Sequence, residues 1–298
     1  MSLSAELTAR LVAGGLDPSG VEAVVRVALA EDLAGGVDVT STATVPADQR
    51  STADVVARAD GVVAGLPVAA AVFEVVAQQS GAPVTVMQLV ADGSQVSRGD
   101  VLASVTGRTR DLLTGERSAL NLLCHLSGVA TATRRWADAL TGTGAAVRDT
   151  RKTTPGLRAL EKYAVRCGGG VNHRMALSDA ALVKDNHVLA AGGVAPAFAA
   201  VRATWPGLPV EVEVDTLDQL DEVLAAGADL VLLDNMDVDT MREAVRRTAG
   251  RARLEASGGL TLDRAAAVAA TGVDYLSVGA LTHSAPILDI ALDLREHG

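Results

Sequence analysis

Basic side chains crowd one short stretch of an otherwise acidic chain. The 298 residues carry a formal net charge of −10, yet residues 148–174 contain seven lysines and arginines and only two acids. The seven are Arg148, Arg151, Lys152, Arg158, Lys162, Arg166 and Arg174. Because guanidinium groups bind carboxylates and phosphates through paired hydrogen bonds, this cluster predicts a pocket for a small ligand with several negative charges.

Part of this stretch has a simpler interpretation. Arg158, Lys162 and Arg166 follow one another at four-residue spacing, which is the pattern of a solvated helix face. The pairs Arg151–Lys152 and His173–Arg174 stand beside turn residues instead, and three glycines lie shortly before the second pair. We therefore expect the two pairs to face a ligand and the four-residue series to face solvent at least in part.

Alternating strand-like and helix-like segments follow from Ala145 onward. The strand-like runs are AAVRDT, ALVKDNH, PVEVEVDT, ADLVLLDN, ARLEASGG and VDYLSVGA, and Ala-rich helical segments separate most of them. Regular βα units predict a parallel sheet, and this many in sequence predict a βα barrel. No glycine-rich dinucleotide motif follows any run, so a doubly wound nucleotide-binding fold is disfavoured. In such barrels the active site lies at the carboxyl ends of the strands.

Acids and glycine loops stand at the predicted strand ends. Glu213 and Asp234 could hold Mg²⁺ together with substrate phosphates, or could be structural partners of the arginines, and the two interpretations are compatible. The segments Ser257-Gly258-Gly259 and Ser277-Val278-Gly279 could bind a phosphate through exposed N–H groups, although glycine after a strand often makes only a turn.

Three motifs carry a family resemblance. The motifs DTRKTTPGLR, GGGVNHR and LVKDNH, in this order and spacing, resemble the quinolinate phosphoribosyltransferase family, and the resemblance extends along nearly the whole chain. It implies an N-terminal α/β sandwich domain and an open or incomplete (β/α) barrel. We expect the sandwich, with a bridging helix, at residues 1–125 and the barrel at 126–285. A C-terminal helix at 286–298 would pack back on the first domain.

The resemblance also implies a reaction and its residues. A phosphoribosyl group would pass from phosphoribosyl pyrophosphate to quinolinate, with loss of CO₂ and with Mg²⁺ as cofactor. The implied catalytic residues are Lys152, Glu213 and Asp234, with the last two also binding the metal. Phosphate would be held by Lys152, Ser257, Gly258, Gly259, Ser277, Val278 and Gly279. Quinolinate would be bound by Thr150, Arg151, His173, Arg174 and Lys184, and by Arg117 from the other subunit of a homodimer.

The first hundred residues predict a mixed α/β domain. Residues 3–33 read as helical, a further helix is expected from Leu66 to Gln79, and short β-like runs surround it. The run LVADGSQVSRGDVLASVTG has the two turns of a biotinyl or lipoyl carrier module but lacks a lysine at the turn. Residues 111–140 predict one long helix, with Gly128 as a possible break.

Composition excludes several classes of function. With six aromatic residues and a pI near 5.0, the chain does not predict a nucleic-acid partner. No segment reaches the ~20 apolar residues of a membrane span, and the N-terminus lacks a basic, apolar leader, so we expect a cytoplasmic protein. Cys124 and Cys167 form no metal-binding spacing and are expected to be reduced.

Three rival functions share these residues. One is a phosphoribosyltransferase for another base, such as the molybdenum-transport-associated relative of the family. Another is a lyase that forms a Schiff base through Lys184. The third is a binding protein without catalysis, which the convergence of acids, cations and phosphate loops disfavours.

Overall fold

A computed structural model describes residues 3–295 and divides the chain into two compact units. The first contains Met1–Ala132, Thr154–Gly169 and Ser284–Gly298, and the second contains Thr133–Thr153 and Gly170–His283. The division differs from the expected single boundary between residues 125 and 126. In particular, residues 154–169, which we had placed in the barrel, belong to the first unit.

The first unit is an antiparallel sheet covered by helices. Its four strands have the order Ile290–Leu294 (β12), Arg50–Ala57 (β1), Val101–Arg108 (β5) and Thr85–Gln88 (β3). Strands Gly61–Val62 (β2) and Gln95–Val96 (β4) form a separate two-stranded ribbon. Helix α4 (Leu66–Ser80) is buried over most of its length, which explains its predominantly Ala and Val sequence. The elements before the barrel are α1 Ala5–Ala13, α2 Pro18–Leu33, α3 Val39–Thr44, β1 Arg50–Ala57, β2 Gly61–Val62, α4 Leu66–Ser80, β3 Thr85–Gln88, β4 Gln95–Val96, β5 Val101–Arg108 and α5 Thr109–Ala139.

The long helix α5 is continuous. A Cβ atom at Gly128 would collide with the carbonyl oxygen of Pro286, so the glycine permits close approach of two backbones and does not break the helix. His125 on the same helix lies with Nε2 2.8 Å from the buried carboxylate of Glu161. The carboxylate thus satisfies one ring nitrogen of a partly exposed histidine.

The predicted C-terminal helix is wrong. Residues Ile290–Leu294 form strand β12, which pairs antiparallel with β1 from Ala57↔Ile290 to Ala53↔Leu294. The apolar residues of this segment alternate with period two near its end, and β1 provides an edge whose N–H and C=O groups need partners. Residues 296–298 of the predicted helix lie outside the described part.

Helix α6, Arg158–Cys167, corrects the expectation of a solvated basic face. Lys162 is completely buried, Arg158 is half-buried and only Arg166 of the series is exposed. The helix is attached within the first unit, since the Tyr163 hydroxyl donates to Asp92 at 2.7 Å and Arg166 donates to the Gly14 carbonyl at 2.7 Å.

The second unit is the predicted open barrel. Its six parallel strands have the order Ala146–Arg148 (β6), Tyr275–Ser277 (β11), Arg253–Ser257 (β10), Leu230–Asp234 (β9), Val210–Val214 (β8) and Ala181–Val183 (β7). A parallel bridge joins Arg148, at the end of β6, to Val171. Within residues 3–295, β7 pairs only with β8, so the barrel does not close. The elements are β6 Ala146–Arg148, β7 Ala181–Val183, α7 Asp185–Ala191, α8 Val194–Thr204, β8 Val210–Val214, α9 Leu217–Ala225, β9 Leu230–Asp234, α10 Val238–Thr248, β10 Arg253–Ser257, α11 Ala265–Ala269, β11 Tyr275–Ser277 and α12 Ala280–His283.

None of the helices in the described range is long and apolar enough to cross a membrane.

Candidate active site

A cavity of about 600 Å³ lies at the carboxyl ends of the barrel strands. Eleven of the residues singled out in the sequence line it: Thr150, Arg151, Lys152, His173, Arg174, Lys184, Glu213, Asp234, Ser257, Gly258 and Ser277. Four further lining residues, Leu182, Leu232, Asn235 and Glu255, were not anticipated. Arg117 is an exposed residue of α5 in the first unit. The second unit therefore brings cations, carboxylates and glycine loops to one cavity.

Two guanidinium groups of this cavity are poorly satisfied. The Nε atoms of Arg151 and Arg174 are buried and have no hydrogen-bond acceptor within residues 3–295, although Arg174 Nη1 donates to the Ala180 carbonyl at 2.8 Å. Burial lowers the pKa of Arg174, and the neighbouring charge of Arg151 lowers it further. An anion would satisfy both buried guanidinium groups and offset their mutual repulsion. The part of the cavity lined by Arg151 and Arg174 is therefore suited to a carboxylate.

His173 is held from three sides. Its backbone N–H donates to Asp149 Oδ1 at 2.8 Å, and the fully buried Asp149 also accepts the Asn172 side chain at 2.5 Å. The ring Nδ1 accepts the backbone N–H of Arg174 at 2.7 Å, and Nε2 lies 2.8 Å from Glu211 Oε2. A neutral ring thus carries its proton on Nε2, facing Glu211. Both ring nitrogens face groups of the protein.

A buried charged cluster lies beneath the cavity. Arg148 Nη1 lies 2.5 Å from Glu255 Oε2 and 3.9 Å from Glu211 Oε1, and its guanidinium stands 4.7 Å from the centre of the Tyr275 ring. Burial, followed by the nearby charge of Glu211, raises the pKa of Glu255 to about 7. Burial likewise raises the pKa of Glu211, whose oxygens have no well-directed hydrogen bond within the described residues.

Two groups of ligands could be considered for a metal. Atoms of His173, Glu211 and Glu255 lie within 4.8 Å of one another, but the proton on His173 Nε2 and the adjacent Arg148 disfavour a cation there. Glu213 and Asp234 line the open cavity and provide carboxylate oxygens, which Mg²⁺ prefers when phosphates supply further ligands. These two residues therefore fit Mg²⁺.

The same two acids also pair with protein groups. Glu213 Oε2 lies 3.0 Å from Lys184 Nζ, and Asp234 accepts the Asn235 side chain at 2.6 Å. Charge balance and metal binding are thus compatible, because each carboxylate retains a second oxygen.

The two glycine loops differ in what they offer a phosphate. Gly258 has a φ of +89°, and a Cβ atom there would collide with the Asn235 side chain, so glycine is required. In the other loop the Ser277 hydroxyl donates to Glu255, and the Val278 N–H donates to the Arg148 carbonyl at 2.9 Å. Gly279 lies next to the Lys152 side chain and the His283 ring.

Sequence reasoning gave no individual site role to six residues that line or support this cavity. They are Arg148, Asp149, Glu211, Asn235, Glu255 and His283. The available signal was a charged residue at an inward position of an otherwise apolar strand, as in VEVEV and RLEAS, because burial of such a residue requires a partner.

Comparison with known proteins identifies relatives over nearly the whole chain. Residues 38–127 match the N-terminal domain model of quinolinate phosphoribosyl transferase, and residues 129–293 match its C-terminal domain model. The chain is 55% identical over 273 residues to nicotinate-nucleotide pyrophosphorylase (carboxylating) of Mycobacterium leprae, covering 91% of this chain and 95% of that relative. The probable enzyme of that name from Bacillus subtilis is 42% identical over 265 residues, which are 89% of this chain and 90% of the relative.

Solved structures show the same similarity. The crystal structure of NadC from Streptococcus pyogenes superposes with a TM-score of 0.88 at 40% identity, covering 94% of this chain and 99% of the other. The nicotinate-nucleotide pyrophosphorylase of Francisella tularensis gives a TM-score of 0.87 at 37% identity, with 93% and 96% covered.

Proposed function

We infer the roles of the cavity residues from the premise that this chain belongs to the quinolinate phosphoribosyltransferase family. The protein is a pentosyltransferase of NAD synthesis. It transfers phosphoribosyl from phosphoribosyl pyrophosphate to quinolinate and releases CO₂, pyrophosphate and nicotinate mononucleotide.

The observation that carries the assignment of the base pocket is the pair of buried, acceptor-free Nε atoms on Arg151 and Arg174. Quinolinate has carboxylates at ring positions 2 and 3, so a rigid dianion can accept from both guanidinium groups at once. Lys184 and the Thr150 side chain line the same cavity. His173 forms part of the wall, and its Nδ1 accepts the backbone N–H of Arg174, which fixes the backbone from which that arginine extends.

Phosphoribosyl pyrophosphate is assigned to the glycine loops, Lys152 and the two acids of the cavity. Ser257, Gly258 and Gly259 would hold the 5′-phosphate, together with Gly279 of the second loop. Lys152, which lies beside Gly279, would contact the pyrophosphate. Glu213 and Asp234 would hold Mg²⁺, which when bound neutralises charge on the departing pyrophosphate.

The transfer step needs no general base. The pyridine nitrogen of quinolinate itself attacks ribose C1, and the C1–O bond to pyrophosphate breaks, so no proton is removed. Lys152 stabilises the leaving group, and the carboxylate of Glu213 stabilises positive charge on the sugar. The ribosylated ring nitrogen is cationic, and its charge stabilises the electron pair left at C2 when the bond to the 2-carboxylate breaks and CO₂ departs. A proton from solvent then adds at C2. The protein contributes orientation to this second step.

The proposed assembly is a homodimer in which Arg117 completes the partner's pocket. Its exposure on α5 is compatible with that role. A cytoplasmic location remains a prediction.

The Schiff-base alternative is less well supported by the geometry. A lysine that forms a Schiff base is activated by a desolvated pocket or a cationic neighbour. Lys184 is 48% exposed and lies against the Glu213 carboxylate instead.

One assay tests the proposed function. Purified protein is supplied with quinolinate, phosphoribosyl pyrophosphate and Mg²⁺, and the products are measured together. Nicotinate mononucleotide, CO₂ and pyrophosphate should appear in equal amounts, and Arg174→Ala should abolish all three. Product formation from a different base, with none from quinolinate, would contradict the proposal. A lysine trapped by borohydride in the presence of substrate would favour the lyase.

A further inference from the structure

Glu255 occupies an unusual place in the barrel. It is completely buried in the middle of β10, where (β/α) barrels ordinarily place branched apolar side chains. In register it stands beside Leu232 of β9 and Tyr275 of β11. It also lines the floor of the active-site cavity. A buried carboxyl in this position requires hydrogen-bond partners, and those partners define its role.

One set of partners belongs to the phosphate side of the cavity. The Ser277 hydroxyl, at the end of β11, donates to Glu255 Oε1. Ser257 lies two residues after Glu255 on β10 and begins the other glycine loop. Glu255 is thus bonded to the start of one proposed phosphate loop and is attached by a short length of strand to the other.

The other partner belongs to the base side. Arg148 Nη1 lies 2.5 Å from Glu255 Oε2, and Arg148 is the first residue of the segment that carries Arg151 and Lys152. The Arg148 carbonyl also accepts the Val278 N–H at 2.9 Å. The segment of Arg148 and the loop of Ser277 are therefore connected both directly and through Glu255. Glu255 Oε1 also lies 3.8 Å from Nε2 of His173.

We propose that Glu255 is a positioning residue for the transfer reaction. Through Arg148 and Ser277 it sets the distance between the base-binding segment and the phosphate loop, so that the pyridine nitrogen and ribose C1 are aligned when both substrates are bound. The proposal rests on the proposed function. A misplacement of about 1 Å between reacting groups can cost about 100-fold in rate, whereas each substrate still binds its own half of the cavity.

The test is run at pH 8, where Glu255, with a pKa of about 7, is ionised. It uses Glu255→Gln, which keeps the size of the side chain and an acceptor for Ser277 but loses the charge that pairs with Arg148. Its matched control is Glu222→Gln, an exposed residue of α9. Quinolinate and phosphoribosyl pyrophosphate affinities are measured separately by calorimetry, and kcat is measured at saturation. We expect kcat of Glu255→Gln to fall by about 30- to 100-fold, with both affinities within about threefold of the parent. Glu222→Gln should match the parent in all three quantities.

Two results would overturn the proposal. One is a kcat within about threefold of the parent, which would make the charge dispensable. The other is a parallel loss of both affinities and of thermal stability, which would show a merely structural role. If Glu255→Gln does not fold, Ser277→Ala removes the hydroxyl bond alone, and the proposal then requires a lower kcat with quinolinate affinity unchanged. Absence of product from the parent protein would be a failure of the proposed function instead.

Discussion

Nε2 of His173 lies 2.8 Å from Oε2 of Glu211, a carboxyl that is only 3% exposed. The opposite ring nitrogen accepts the Arg174 N–H, so the orientation of the imidazole is coupled to the placement of a proposed carboxylate-binding arginine. Glu211 therefore acts on the cavity without lining it.

This relationship predicts the effect of Glu211→Leu. Without the carboxyl, Nε2 of His173 loses its charged neighbour, so the ring and the Arg174 backbone N–H that Nδ1 accepts are held less firmly. We expect quinolinate affinity, measured by calorimetry, to fall about tenfold or more, with phosphoribosyl pyrophosphate affinity nearly unchanged. Glu222→Leu on the exposed surface is the control. Equal losses for both substrates would place Glu211 among residues that merely support the barrel.

Stability should depend on pH through Glu255. Its pKa is raised from 4.5 to about 7, so the folded protein holds this proton more tightly than the unfolded chain between those two values. The contribution is complete below about pH 4.5 and is lost as pH rises to about 7, by up to roughly 3 kcal/mol. Glu255→Gln should therefore gain Tm relative to the parent from pH 5 to pH 8. A difference in Tm that stays constant over this range would contradict the raised pKa of this buried carboxyl.

The proposed interface role of Arg117 can be tested by complementation. Arg117→Ala and Arg174→Ala should each be nearly inactive. After subunit exchange, a mixture should recover roughly a quarter of parental activity, because half of randomly assorted dimers are mixed and each contains one complete pocket. No recovery, despite exchange verified by mass spectrometry, would remove Arg117 from the partner's site.

Asp234→Asn separates metal binding from charge balance. If Asp234 is a ligand, the Mg²⁺ concentration for half-maximal activity should rise about tenfold, equivalent to about 1.4 kcal/mol. Quinolinate binding in the absence of Mg²⁺ should be little changed. The opposite pattern, a lower affinity for quinolinate at an unchanged Mg²⁺ requirement, would show that the carboxylate organises the cations.

Substrate choice follows from the number of buried donors. Nicotinate lacks the 2-carboxylate and would leave a guanidinium group without an acceptor, so its kcat/KM should be lower than that of quinolinate by about 10⁴-fold. Phthalate keeps both carboxylates but lacks the nucleophilic nitrogen, and should inhibit competitively against quinolinate. Comparable turnover of nicotinate, or no inhibition by phthalate, would favour another base.

The sequence by itself determined the barrel and most of the cavity wall. Strand ends follow from the local alternation of β-rich runs and Ala-rich helices, and in a parallel barrel those ends meet at one face. For this reason the sequence alone predicts that Lys184, Glu213, Asp234 and Ser257 lie together, as they do in the cavity.

Only the tertiary structure decided which groups pair beneath that wall. The contact of Arg148 with Glu255 joins residues 107 positions apart, and depends on the order of strands around the barrel. The burial of Lys162 and the pairing of residues 290–294 with β1 likewise depend on distant partners. Four-residue spacing is the same for a solvated and a buried helix face, and a short apolar segment can form a helix or a strand. In each case, contacts between residues remote in sequence determine which conformation of the segment has the lower free energy.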